Sequence, residues 1–168
     1  MEQYALYLVM KKKVLELSNK FTCSFNDMDF NKPNIIGIYI KSGGTPSERA
    51  LSDGGYYNYR ARVQFIIQGD NSKQSLMDVL DMASSLRNTL SLCSNSSELL
   101  ERANCELTWY NDKIVYDPTH QIEGYNILVT LCEVSLLGEV DFKGKSGQGL
   151  PKYSINFIME YFTSKGGN

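Results

Sequence analysis

Histidine is almost absent from this sequence, and its scarcity limits the acid–base and metal chemistry that the chain offers. The 168 residues contain a single histidine, His120. Catalysis by an imidazole needs a nucleophile and an orienting acid beside it. Asp117 lies three residues before His120, but Pro118 disfavours the helical turn that would join them. We therefore interpret His120 as a residue of a surface turn.

Clustered cysteines are also missing. The four cysteines form no C-x-x-C pair, whereas a zinc site needs closely spaced nitrogen and sulfur ligands, so we predict no metal site. Two disulfides are possible by number, but a chain of this length does not need them to be stable. Buried thiols without disulfides are the favoured interpretation, and the residues concerned are Cys23, Cys93, Cys105 and Cys132.

A dense basic block and a long apolar run are two further absences. Lys11-Lys12-Lys13 is the only basic run and the formal net charge is −2, whereas a sequence-independent nucleic-acid binder needs a concentrated basic surface. We interpret these lysines as the exposed face of a helix. The apolar run over 4–10 is too short to cross a bilayer and lacks the flanks of a signal peptide. We therefore expect synthesis in the cytoplasm and no membrane partner.

Two glycine-rich segments lack the surroundings of a phosphate-binding loop. Neither Gly44 nor Gly55 is followed by the lysine and hydroxyl residue of a P-loop. The glycines over 144–149 lack the strand–turn–helix unit of a dinucleotide-binding fingerprint. We predict no catalytic residue, no cofactor and no enzyme activity, and we keep a small-molecule-binding enzyme as an alternative.

Periodicity and turn-forming residues predict an α+β fold, with a mostly antiparallel sheet and helices packed on one face. We expect one domain over 1–168, made of an N-terminal helix and connector over 1–33, a sheet-and-helix core over 34–163 and a flexible tail over 164–168. The pattern predicts helices over 2–18 and 72–93, strands over 34–41, 56–68, 124–136 and 152–162, a hairpin over 105–116, and loops over 42–55 and 138–151.

The segment 56–68 has the clearest alternation and predicts a long, half-buried strand. Its polar face is either exposed to solvent, or it packs against another subunit or faces a pore; arginine suits an interface because its planar fork pairs with carboxylates. One face carries Tyr57, Tyr59, Ala61, Val63, Phe65 and Ile67, and the other carries Asn58, Arg60, Arg62, Gln64 and Gln68. We expect Val63, Phe65 and Ile67 to face the second helix, which carries Leu76, Leu80 and Leu86. On the first helix we expect one apolar stripe, made of Ala5, Leu8 and Leu15 with the stem of Lys12 on the same line.

Four stretches of the chain carry a family resemblance. They are IGIYIKSGGTPSER over 36–49, YNYRARVQFIIQGD over 57–70 followed by the second helix, SLLGEVDFKG over 135–144, and YSINFIMEYF over 153–162. In their order and spacing they resemble the tail terminator proteins of tailed bacteriophages, also called minor capsid or tail completion proteins. The chain departs from that family at Gln68, where many members carry an arginine, and over 138–151, which has extra lysine and glycine.

The resemblance implies a structural role without turnover. Members of the family form a hexameric ring on the last ring of tail-tube subunits, which stops tube polymerisation and joins the tail to the head or collar. It implies a homo-hexamer located in the virion tail or neck. The implied partners are the tail-tube protein and sheath or neck (connector) proteins, with DNA only passing through the ring. Contractile tails and tail-like bacteriocins both remain open, and the alternative is another neck or tail component, such as a head-completion or tube protein.

A closed ring needs two different contact surfaces on each subunit. We expect the loops over 42–55 and 138–151 to make most contacts with neighbouring subunits, and we expect Arg60 and Arg62 to pair with acidic residues of the next chain. The candidate interface residues are Ser42, Gly43, Gly44, Glu48, Arg49, Tyr57, Tyr59, Arg60, Arg62, Gln64, Asp141, Lys143 and Lys145.

Overall fold

Two helices and nine strands make up the regular structure of the described residues, 1–42, 59–93 and 96–167, in a computed structural model. The helices are α1 (Glu2–Leu17) and α2 (Ser75–Ser91), with a short 3-10 helix at Arg102–Asn104. The strands are β1 (Thr22–Phe25), β2 (Ile35–Ser42), β3 (Tyr59–Gln68), β4 (Ser96–Leu100), β5 (Leu107–Tyr110), β6 (Lys113–Tyr116), β7 (Ile127–Leu136), β8 (Asp141–Lys145) and β9 (Pro151–Lys165).

Seven of the strands form one sheet in the order β1-β2-β3-β9-β7-β4, and β8 also pairs with β9, along the first residues of that strand. β1 runs parallel to β2, and the other pairs of this sheet are antiparallel. β5 and β6 form the predicted hairpin as a separate small sheet. The predicted α+β class, with a largely antiparallel sheet, is confirmed.

The core lies between this sheet and the two helices, as the alternation in 56–68 predicts. Val63, Phe65 and Ile67 are at most 1% exposed, and the ring of Phe65 meets that of Phe157 edge-on at 6.0 Å, a favourable geometry for aromatic rings. The orientation predicted for this strand is therefore confirmed.

The helix face that meets β3 and β9 differs from the expected one. Leu86 is fully buried, but Leu80 is half-buried and Leu76 is 40% exposed. The inner position of the first turn belongs to Ser75, whose hydroxyl oxygen accepts a hydrogen bond from the Asp70 N–H at 2.7 Å. Since neighbouring positions on a helix differ by about 100°, this anchor turns Leu76 outward. The buried residues of α2 are Ser75, Val79, Met82, Ala83, Leu86 and Leu90.

The stripe expected on α1 is wrong at Lys12 and Leu15, whereas Ala5 is buried and Leu8 packs against the core. Leu8 is half-buried, Lys12 is exposed and Leu15 is 48% exposed. α1 contacts α2, β2 and β4, so neighbours enclose it from more than one side and it buries a wide face rather than one stripe. The buried residues of α1 are Ala5, Leu6, Tyr7, Val9, Met10 and Val14.

Gln68 lies on the predicted polar face of β3, but it is buried there by other segments of its own chain. Its Nε2 donates hydrogen bonds to the carbonyl oxygens of Phe30, at 3.1 Å, and Lys32, at 2.7 Å. The segment 26–34 therefore covers one end of the sheet on the face opposite the helices. Lys152 adds to this cover, with its Nζ 4.9 Å from the centre of the Phe30 ring.

Three predicted segments differ from the structure. The connector over 1–33 contains β1, and the loop over 138–151 contains β8. The expected flexible tail is wrong at its start, because β9 continues through Ser164 and Lys165, which pair with Leu128 and Ile127. Of the loop over 42–55, Ser42 ends β2, and the rest of that loop lies outside the described residues.

Candidate subunit-interface surface

Arg60 and Arg62 project from the face of the sheet opposite the helices, which we call the outer face. Both side chains are exposed and Gln64 is half-buried, whereas Ala61 and Val63 between them are each 1% exposed. Alternation along β3 places these two sets on opposite faces. The structure therefore brings the predicted residues Arg60, Arg62 and Gln64 together on one surface.

Neighbouring strands add further charges to the outer face. Lys41 of β2 lies directly opposite Arg62, and Glu160 of β9 lies directly opposite Arg60. Glu133 of β7 lies opposite Glu160 on its other side. The outer face therefore has a basic strip, Lys41, Arg60 and Arg62, beside an acidic strip, Glu133 and Glu160.

Two of these cross-strand pairs bring like charges together. Side chains directly opposite on one face have Cβ atoms about 4.5–5.5 Å apart, and like charges at that spacing destabilise the sheet. Lys41 faces Arg62, and Glu133 faces Glu160, while Arg60 beside Glu160 offsets part of the repulsion. Counter-charges from another chain would turn both repulsive pairs into attractive contacts.

Sequence reasoning missed the acidic strip, although one signal for it exists. Asn156, Ile158 and Glu160 alternate with the buried side chains of β9, so their common face is readable from the sequence. Glu133 is not readable in this way, because the register shifts between Leu131 and Glu133. Such an irregularity changes which side chains share a face.

Two predicted interface residues border the core instead of the outer face. Tyr59 is half-buried and its ring lies 5.6 Å from that of Tyr161, which is buried. Burial raises the pKa of Tyr161, with Glu2 and Tyr59 adding to the effect. Ser42 is exposed, but it pairs with Ala61 and so lies on the helix side. The predicted interface residues Gly43, Gly44, Glu48, Arg49 and Tyr57 lie outside the described residues.

The predicted residues of β8 form a second, separate surface. Asp141, Lys143 and Lys145 are all exposed, and the Lys143 Nζ lies 2.7 Å from the Asp141 Oδ2. Asp141 pairs with Ser154, six positions along β9 from Glu160. At 3.3–3.4 Å per residue, this separation is about 20 Å. Arg62 pairs with Ile158, four positions from Ser154, so it lies about 13 Å from Asp141 along β9, with β9 between their strands.

A groove of about 600 Å³ lies between α1 and β4. Its lining includes Leu8, Leu15 and Leu99, together with the buried Cys105. The Cys105 thiol donates a hydrogen bond to the Leu107 carbonyl oxygen at 3.1 Å. Burial raises the pKa of this thiol, which disfavours the thiolate that a nucleophile needs.

His120 is exposed, as predicted for a surface turn, and it has a φ of 53°. The neighbouring Asp117 is buried and accepts hydrogen bonds from the N–H groups of Gln121, at 3.0 Å, and Ile122, at 2.9 Å. Burial acts to raise the pKa of Asp117, but these N–H groups and Arg102 outweigh it and the pKa lies below its usual value. The carboxylate therefore holds this turn together.

Several other features bear on the candidate chemistry. Across 1–42, 59–93 and 96–167, no group of three or more His, Cys, Asp or Glu side chains is placed to hold a metal ion. No disulfide joins the four cysteines, all of which are described, and Cys93 and Cys105 are buried.

Among the helices of the described ranges, none has the length and apolar character to span a bilayer. The chain matches no protein-family model, and no curated protein matches it significantly.

Proposed function

We propose that the chain is a subunit of a phage tail or phage-tail-like particle, where it forms a hexameric ring that caps the tail tube. The ring stops tube polymerisation and joins the tail to the head or collar. Its partners are the tail-tube protein and sheath or neck proteins, and DNA only passes through it. The order and spacing of the four sequence stretches support this role, together with the charges of the outer face.

The observation that carries the proposal is the pairing of like charges on the outer face. Lys41 and Arg62 face each other, as do Glu133 and Glu160, at a spacing where each pair is unfavourable in the isolated subunit. A second copy that supplies opposite charges would relieve both pairs. A surface that is repulsive alone and attractive in contact suits a protein that works as an assembly.

The experiment is to add the purified chain to tail-tube protein while the tubes polymerise. A terminator stops elongation, binds at the tube end, and cosediments in an amount that follows the number of ends rather than tube length. A tube protein would instead polymerise alone, and a head-completion factor would leave tube length unchanged. Either of the last two outcomes rejects the proposed role.

A thermal-shift screen with nucleotides and metal ions tests the enzyme alternative. A ligand present at a hundredfold excess over its dissociation constant adds about 2.7 kcal/mol to the stability of the folded state. The proposed structural role predicts an unchanged melting temperature across the screen.

A further inference from the structure

The end of β7, the connection to β8 and the start of β8 expose apolar and acidic side chains. The strand pairings place Asp141 on the outer face, and Leu136 and Phe142 on the helix side. Leu136 is 38% exposed, Leu137 is 43% exposed and Phe142 is 48% exposed. Glu139 and Asp141 lie between them in the sequence and are also exposed. We call the segment 136–142 the β7–β8 projection. Neighbouring exposed apolar side chains of this kind are typical of a surface that another molecule covers.

The projection is well placed to reach another chain. Gly138 has a φ of 79°, a conformation that glycine adopts without strain, and this residue lets the chain turn out of β7. The Leu137 N–H donates to the Asn156 carbonyl oxygen at 2.8 Å, which fixes the base of the projection to β9. The projection is therefore held at both ends, because Asp141 and Phe142 pair with β9. Its exposed tip is Gly138 and Glu139.

The basic strip has the opposite chemistry. Lys41, Arg60 and Arg62 are exposed, and beside them lie the half-buried side chains of Tyr39 and Ile158, on the same face of the sheet. The cationic and apolar side chains of this strip complement the carboxylates and apolar side chains of the β7–β8 projection. Within one chain Lys41 and Arg62 lie about 13 Å from Asp141 along β9, and Arg60 lies about 20 Å from it, with β9 between the strands. These separations are too long for an ion pair within one chain.

We propose that the β7–β8 projection of one copy binds the basic strip of the next copy, and this inference rests on the proposed ring. The carboxylates of Glu139 and Asp141 pair with Lys41 and Arg62, while Leu137 covers the apolar surface beside them. The contact joins two different patches, the projection on β7 and β8 and the strip on β2 and β3, so each copy uses one patch toward each neighbour. Closure by rotation then gives a ring.

The charges of the basic strip favour this occupant. A carboxylate placed beside Lys41 and Arg62 relieves their mutual repulsion and forms charge-assisted hydrogen bonds with the guanidinium group. Asp141 already pairs with Lys143, but side-chain exposures of 60% and 48% make that pair a weak one. Exchanging it for Arg62 of a neighbour therefore costs little.

The experiment uses charge reversal on the full chain, read as the occupancy of tail-tube ends. Arg62→Glu and Glu139→Lys should each lower occupancy by about tenfold or more, because each places like charges across the contact. The double variant, with both changes in every copy, should return to within about threefold of the wild type. Glu123→Lys, a reversal at an exposed residue away from both surfaces, is the matched control and should cap normally.

A disulfide-trapping measurement keeps the inference testable if charge reversal disturbs folding. Leu137→Cys combined with Arg62→Cys should give cross-linked ladders up to a hexamer on tube ends. The pair Glu123→Cys and Arg62→Cys should give no ladder. This contact is overturned if no cross-linked ladder forms, or if the double charge-reversal variant does not regain occupancy of tube ends. The proposed function still stands in that case, provided that the wild type caps tubes. A wild type that never caps tubes overturns both, and a ladder that stops at a two-fold dimer rejects the ring contact.

Discussion

Arg60 of β3 lies directly opposite Glu160 of β9 on the outer face of the sheet. The basic strip meets the acidic strip at this oppositely charged pair. The flanking pairs, Lys41 with Arg62 and Glu133 with Glu160, each carry like charges. The outer face is therefore polarised across its strands, and it offers each sign of charge to a neighbouring molecule.

Replacing Arg60 and Arg62 together with alanine should weaken capping strongly and leave the melting temperature of the free chain unchanged. Both side chains are exposed, so their removal leaves the core intact, and exposed charges contribute at most about 1 kcal/mol each to stability. Cosedimentation with tail tubes and a thermal melt measure the two effects.

The matched control for this change is Lys73→Ala with Arg87→Ala, which removes two exposed cations at and before α2. The control should cap tubes normally. If the double arginine variant caps as well as the control, the arginines are ordinary surface charges. If it unfolds instead, they belong to an internal network.

Phe65→Ala should lower the free energy of unfolding by about 3–5 kcal/mol, as for other buried aromatic side chains. Phe65 is fully buried and meets Phe157 at 6.0 Å, so the change removes a large volume from the centre of the core. Urea denaturation gives the difference. Phe142→Ala is the control, because Phe142 is 48% exposed, and it should cost less than about 1 kcal/mol. A loss below that value for Phe65 would contradict its central place.

Gln68→Met should destabilise the chain by roughly 1–3 kcal/mol, because the carbonyl oxygens of Phe30 and Lys32 lose their donor. The lower part of that range is expected, since the Gln68 Oε1 is itself buried with no hydrogen-bond partner in the described residues. Gln64→Met, on the same strand and face, should change stability by less than about 0.5 kcal/mol. Equal losses in the two variants would show that the Gln68 hydrogen bonds contribute nothing.

Asp70 should make the stability of the folded chain depend on pH in the acid range. Hydrogen bonds from the Ser72 hydroxyl and N–H lower the pKa of Asp70 from the usual 3.8 to about 2. Burial acts to raise this pKa, and Asn34 and Lys20 lower it further by smaller amounts. Since the folded-state pKa lies below the unfolded one, the stabilisation is present above pH 3.8 and is lost as the pH falls through about 2. Asp70→Asn should therefore be less stable than the wild type near neutral pH, with a gap that closes on acidification. Urea denaturation at several pH values checks this, and a constant gap would contradict it.

The sequence predicts the fold where local pattern and tertiary environment agree. Alternation in 56–68 predicts β3 and its buried face because one side of the strand packs on helices. It fails for Gln68, where the segment 26–34 folds over the polar face and gives the amide internal partners. The sequence does not predict β1 or β8. Turn-forming residues hide the strand pattern of β1, and glycine and lysine hide that of β8. Both strands form because they pair with neighbours, β1 with β2 and β8 with β9.

The candidate surface is predictable only in part. Period two places Arg60 and Arg62 on one face, but joining them to Lys41, Glu160 and Glu133 requires the register of four strands. Register depends on contacts between residues far apart in sequence, and the irregularity before Glu133 shifts it again. The sequence also does not show that Asp141 lies about 13 Å from Arg62 and about 20 Å from Arg60 along β9.

The rotational symmetry of the cap tests the central claim most directly. Electron micrographs of tail tubes mixed with the purified chain, averaged end-on without imposed symmetry, give this quantity. The proposed function predicts one closed ring with six-fold symmetry on capped ends, and tubes that no longer elongate. Bare tube ends at saturating chain, or a two-fold particle bound there, would contradict it.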